Sequence, residues 1–233
     1  MSIIFKLFNF FLVVTIVLFF IPSCENKNED DKAAYFEFKI NYLISADENL
    51  IINLLPEKMS CYYKNNYFLY HTEGWMGLTS LTQIIDMNDS SRIIMSKFMN
   101  KKYAHKQSLK DSLLKFEFFD FTLTDFKKDT IFCDHNCTCL TIYSTSANKN
   151  MELIYTTDFD IPNPNLYLPY NFIDGLLLKF SLCTMGIPIE MELIYHNEDT
   201  IFSDTLFQLP KSYQVVDKKE FEEIFNQFAP NYN

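Results

Sequence analysis

The chain has 233 residues, a formal net charge of −10 and 48% hydrophobic residues. This acidity excludes nucleic acid as a partner, because phosphate neutralisation requires a basic face, and it argues against electrostatic docking on anionic lipid. The 24 Phe and 14 Tyr, set against four Gly, favour strands and supply the apolar mass for one sizeable core in a single domain.

In chain order, Lys6 is followed by an uncharged apolar run from Leu7 to Ile21. A membrane-spanning helix needs about 20 apolar residues, whereas a secretory segment needs about 7–15 and ends at small residues. Pro22 and Ser23 break the run just before Cys24, and "IPSC" resembles a bacterial lipobox, departing from it at Pro22. The resemblance implies that residues 1–23 are a signal peptide cut before Cys24, whose sulfur takes diacylglycerol. An uncleaved anchor and an ordinary secretory cleavage are the alternatives. In all three, Leu7 to Ile21 stands outside the folded core. Residues 24–33 carry acids and amides and read as a flexible acidic tether. The tether is similar to the export signal of surface lipoproteins in the Bacteroidota. That likeness implies a lipid-anchored position at the outer membrane, surface display being favoured over the periplasmic side, with the membrane reached through the lipidated N-terminus.

Residues 34–233 read as one β-rich domain. In "YFEFKINYLI", Phe36, Phe38, Ile40, Tyr42 and Ile44 share one face, the alternation of a half-buried strand. A hairpin follows, turning at Asn65-Asn66, since Asn tolerates positive φ. A second turns near Asn88 to Ser91 and a third at Ala147 to Asn150, and "FEFFDFTLTDF", ending at Phe126, reads as a further strand. "QSLKDSLLKF" predicts a short helix, with Leu109, Leu113 and Leu114 at helical spacing. The clearest helix is terminal: Asp217 with Glu220 three residues on forms a capping-box pattern. Phe221, Ile224, Phe225 and Phe228 make its apolar stripe, which is expected to pack on the sheet. "MELIY" and "DTIF" each occur twice but in opposite order, which indicates shared strand-and-turn usage and not a repeat.

From Ile131 to Glu192 the chain resembles the GLPGLI family of Bacteroidota lipoproteins. Tyr155, Thr156, Asp160, Ile161 and Pro162 match its strand and "DIP"-like segment. Gly175, Leu176, Leu177 and Leu178 match part of its "GLPGLIL"-like segment, without the inner Pro-Gly, and Cys139 corresponds to the cysteine before the first strand. The resemblance implies a shape similar to the periplasmic lipoprotein carriers: a curved antiparallel half-barrel with helices across its mouth and an apolar concave face suited to acyl chains. It supplies no catalytic residue.

Four groups have the composition of a site. Cys133, His135, Cys137 and Cys139 are the densest. Setting Cys24 apart leaves five cysteines, an odd number. An oxidising compartment favours a disulfide within Cys133, Cys137 and Cys139, while unpaired packing, zinc and redox chemistry stay open. Cys61 and Cys183 sit in apolar strands. The histidines His71, His105, His135 and His196 are scattered, and no HExxH, GxSxG or phosphate-cradling glycine loop is present. "GWMG" around Trp75 reads as a turn or as a loop lip. Asp158, Asp160, Asn163 and Asn165 offer oxygens without EF-hand spacing. Short Asp-Thr and Asp-Ser strings at Asp111, Asp129, Asp199 and Asp204 resemble an O-glycosylation signal. The expectation is therefore a mainly β (α+β) domain, a single curved antiparallel sheet or half-barrel with one or two helices packed on it. Its role is an anchored lipoprotein that is not an enzyme, has no cofactor or metal, and binds a lipid or other apolar ligand. The alternative is a cell-surface structural or interaction lipoprotein without a ligand pocket.

Overall fold

The structure, a computed structural model, describes residues 32–44, 50–112, 114, 120–145, 148–184 and 187–228. The expected signal segment, Cys24 and the tether up to Asp31 lie outside the described residues. Strands β1 (Ala33–Tyr42), β2 (Lys58–Lys64), β3 (Tyr67–Gly74), β4 (Thr79–Asp86), β5 (Ser91–Phe98) and β6 (Lys101–Ser108) form an antiparallel meander. A second meander holds β7 (Phe121–Phe132), β8 (His135–Ser144), β9 (Lys149–Thr156), β10 (Leu176–Thr184) and β11 (Ile187–Asn197). The two join where β11 pairs antiparallel with β1, and β12 (Gln214–Val215) adds in parallel to β6. The result is one open, curved, mainly antiparallel sheet, a half-barrel with helix α1 (Lys218–Phe228) packed on it.

Alternation accounts for the strands. In β1, Phe36, Phe38 and Ile40 are buried while Glu37 and Lys39 turn outward. The β2–β3 hairpin turns at Asn65 and Asn66, with φ of 49° and 67°. The same two-residue geometry recurs at Cys133 and Asp134, φ 50° and 64°, between β7 and β8. The expected strand ending at Phe126 thus runs on to Phe132; residues 116–119, at its start, lie outside the described residues. The short helix expected over "QSLKDSLLKF" is corrected at its start. Gln107 and Ser108 close β6, and a turn over 109–110 follows, held by Leu109 N–H donating to Ser90 O. Opposite Arg92 and Ser91, those two residues extend a ladder that outweighs their local propensity. Leu113 and residues 115–119 lie outside the described residues, as do Ala147 in the third turn and the Met185–Gly186 pair before Pro188, which itself belongs to β11.

The sheet has a core on each face. On the inner face, Phe36, Phe38, Met59, Cys61, Phe68 and Ile85 join Leu153, Phe180 and Met191 across the β1–β11 seam. The segment 157–175 folds over it. Phe159 meets Phe36 edge-on at 5.2 Å, and Tyr167 lies 5.3 Å from Phe68 and 5.1 Å from Tyr70. Buried Asn165 closes this segment by donating to the carbonyls of Ile173 (3.0 Å) and Gly175 (2.6 Å). On the outer face, Phe202, Leu206 and Phe207 cover Leu69, Ile84, Met95 and Ala104. The chain then rounds the β6 edge as β12 and returns to the inner face as α1. Asp217 caps that helix, accepting from Glu220 N–H at 2.8 Å, and Phe221 and Phe225 bury against Ile94, Leu81 and Tyr103. The side chain of Phe228 lies outside the described residues.

Gly175 sits at φ 149°, and a Cβ there would fall 2.7 Å from Thr156 O. Gly175→Ala is expected to lower unfolding free energy by more than about 1 kcal/mol, read as a fall in the denaturant midpoint. An unchanged midpoint contradicts this packing.

Candidate functional site

Between the 157–175 segment and α1 the inner face is left unfilled. A cavity of about 220 Å³ lies there, walled by Ile40 and Tyr42 of β1, Met59 of β2, Leu81 of β4, Ile189 and Met191 of β11 and Phe225 of α1. Ser96 and Phe98 of β5 and Leu182 of β10 share the same wall. Strands β5 and β10 are separated by five others in the sheet, yet they line one cavity, so this face is the concave one. A second hollow of about 100 Å³ adjoins it under Tyr167, Leu168 and Pro169, and both touch Met59, Gln83 and Leu182.

The cavity forms because small or polar side chains stand where the core would need bulk. Thr72 and Ser96 occupy its floor between Leu81 and Phe98. Polar groups along the wall are tied back: Tyr42 hydroxyl donates to Pro56 O at 2.6 Å, and Arg92 Nη1 donates to Gln83 Oε1 at 3.4 Å. Burial pushes the Tyr42 and Tyr167 hydroxyls well above the usual phenol range, so both remain neutral donors. A larger hollow of about 440 Å³ lies at β7–β9. Its walls include Lys127, Asp174 and the half-exposed Leu123 and Phe172, which makes it a surface depression.

The residues singled out from sequence do not converge on the cavity. Cys133 lies in the β7–β8 turn, its Sγ donating to Leu193 O at 3.3 Å. Cys137 Sγ donates to His135 O at 3.4 Å, and Cys139 and Cys61 are buried. Cys61, Cys133, Cys137 and Cys139 are free thiols among the described residues. His135 Nδ1 sits 3.1 Å from Asp158 Oδ2, and its ring lies 5.0 Å from that of His196, with Nε2 buried and unpartnered. Asp160 pairs with Lys32, and Asn165 turns inward, so the four loop oxygens are dispersed. Among the described residues no three His, Cys, Asp or Glu side chains gather as a metal site. Trp75 lies in the β3–β4 turn, half-buried, 6.3 Å from Phe98. The resemblance segment holds the loop in place: Thr156 Oγ1 donates to Asn136 O at 2.8 Å and Tyr170 hydroxyl to Ser181 O at 2.5 Å. Sequence reasoning missed the cavity wall itself, whose only signal is the run of small polar residues at inward positions of β3–β5.

No protein-family model matches the chain, and no curated protein does. Among solved structures, PNGF-II in a P21 crystal form matches at TM-score 0.52 and 12% identity over 83% of this chain, and in a C2 form at 0.50 and 11% over 82%. The chain spans about a third (33%) of the length of PNGF-II. MucB matches at TM-score 0.29 and 10% identity over 80% of this chain and 60% of its own, too low to bear on the fold. The PNGF-II likeness is one of fold alone.

Burial raises the Cys61, Cys133, Cys137 and Cys139 thiols above their unfolded value of 9.0, so little thiolate forms at pH 8. Maleimide labelling read by mass is expected to be slow at buried Cys61 and Cys139 in native protein and rapid at both in denaturant. The same protonated thiols favour the fold below pH 9.0, and their contribution is lost as pH rises beyond it. Rapid native labelling of Cys61 contradicts the packing of β2.

Proposed function

We propose that this chain is a membrane-anchored lipoprotein of the outer membrane whose domain binds a lipid or other apolar ligand in the cavity on its concave face. The cavity carries the reading. Its lining is mainly apolar, from Ile40, Leu81, Leu182, Ile187, Ile189, Met191 and Phe225, and leaving such a space empty forfeits packing that a filled core would keep. With the adjoining hollow it reaches the lower end of ordinary ligand sites, about 300 Å³. Phe225 on one side and Leu168 on the other belong to covering elements and not to the sheet, so the space can widen by small shifts of either cover. The anchor rests on the lipobox-like "IPSC" and the acidic segment after Cys24. The GLPGLI-like segment from Ile131 to Glu192 supports the same placing. The alternative, a surface interaction protein with a filled core, is disfavoured by the same cavity.

Lipid extraction and mass spectrometry of gently purified protein are expected to show a co-purifying apolar molecule, and a fluorescent fatty-acid probe is expected to bind. Ser96→Phe fills the cavity from a half-buried position and is expected to weaken probe binding at least tenfold, about 1.4 kcal/mol, with the fold retained. Absence of co-purifying lipid together with no probe binding contradicts the ligand. For the anchor, radiolabelled palmitate is expected to enter the wild-type chain and not Cys24→Ala.

A further inference from the structure

Four of the exposed large apolar residues gather at one end of the sheet. Met76 is 93% exposed, Met99 47%, Leu54 45% and Leu78 38%. They mark the end where the cavity is walled, since Phe98, Thr79, Leu55 and Pro56 line it there. Two turns build this lip. The β3–β4 turn carries Trp75, Met76 and Leu78, and the β5–β6 turn carries Phe98 and Met99. They are tied together: Met99 N–H donates to Leu78 O at 2.6 Å, and Lys97 Nζ donates to Gly77 O at 2.7 Å.

Two features of the lip call for an explanation. Trp75 and Met76 are consecutive bulky residues at φ 47° and 52°, and Met99 sits at 53°. The left-handed region is costly for such side chains and is found where surrounding structure enforces it. Here it accompanies an apolar Met side chain that is almost fully exposed. The charge is also local. Residues 74–80 and 96–103 hold Lys97, Lys101 and Lys102 and no acid, in a chain of net charge −10; Glu73, just before the first turn, and Glu57, just after Pro56, are nearby counter-charges. The overall acidity that argues against docking on anionic lipid does not describe this end.

We propose that this lip inserts into the interface of an anionic lipid bilayer, a second membrane contact made by the protein surface itself. Met76, Leu78 and Met99 sit on two tied turns at the ends of strands, which suits burial among headgroups and upper acyl chains. The aromatic and basic residues behind them match the amphipathic composition of that layer. Each lysine near such a surface strengthens binding about fivefold. The lip opens beside the cavity, so an apolar ligand passing between bilayer and cavity would cross little water. Docking does not depend on the cavity being a ligand site, and the two are tested by different signals.

Trp75 is the single tryptophan of the chain, so its emission reports the lip alone. The full chain is mixed with phosphatidylcholine vesicles, with and without phosphatidylglycerol, carrying brominated acyl chains. Trp75 emission is expected to shift to the blue and to be quenched at least twofold, more strongly with phosphatidylglycerol. The variant M76E/M99E is expected to lose the quenching, while M76L/M99L keeps it; both alter exposed positions, and an unchanged thermal midpoint shows that they fold. An N-terminal lipid would hold every variant at the vesicle equally, so the difference between variants reads the lip. Absence of quenching in wild type, or equal quenching in M76E/M99E, overturns the proposal and leaves the tips to a protein partner. Fatty-acid probe binding by M76E/M99E, whose cavity wall is intact, reads the cavity separately.

Discussion

The pairing of β1 with β11 is the contact on which the rest of the domain depends. It runs from Tyr35 opposite Asn197 to Tyr42 opposite Ile189, joining strands about as far apart in sequence as the chain allows. Without it there would be two separate meanders, each with a bare apolar face. With it, Phe38 meets Phe180 at 5.7 Å, and Phe36 and Ile40 join Met191 and Leu193 in one continuous inner core. The seam shifts register between Glu37 and Phe38, an irregularity that increases local twist and helps the sheet curve. Such long-range pairing forms late, because loop closure must precede the contacts that reward it.

Curvature then creates a filling problem that the chain solves unevenly. A half-barrel this wide exposes an inner face that its own strands cannot cover. The 157–175 segment covers one flank with Phe159, Tyr167 and Tyr170, held by Asn165 and by the Tyr170–Ser181 bond. Helix α1 covers the other with Phe221 and Phe225, after the tail has sealed the β6 edge through β12, where Val216 N–H donates to Ala104 O at 2.8 Å. The two covers do not meet over Thr72, Leu81 and Ser96, and the cavity is what remains. An edge closed by its own tail is also protected from pairing with another chain.

Most of the sheet was legible in sequence, because strand alternation is a local signal. Phe36, Phe38 and Ile40 could be assigned to one face from spacing alone, Asn65-Asn66 announced its turn, and Asp217 with Glu220 announced α1. What failed was non-local. The chemistry-rich string from Cys133 to Cys139 suggested a site, but Cys133 and Asp134 form a hairpin turn whose positive φ falls on residues with no glycine to mark it. The short helix expected from Gln107 onward starts too early, since Gln107 and Ser108 still belong to β6, Gln107 held by pairing with Arg92. The cavity was legible only as an expectation from resemblance, because its walls come from strands at remote points in the chain.

The proposed carrier-like role rests on a curved sheet whose covers leave a mainly apolar space between them, and its central claim concerns where a ligand sits. A photoactivatable fatty acid, crosslinked to the purified chain and mapped by peptide mass spectrometry, addresses that point most directly. Adducts are predicted in the peptides bearing Ile40 and Tyr42, Leu81 and Gln83, Ser96 and Phe98, and Ile189 and Met191, the walls of one cavity. Labelling confined to the outer face around Phe202 and Phe207, or to the β7–β9 depression around Leu123 and Phe172, would contradict the account.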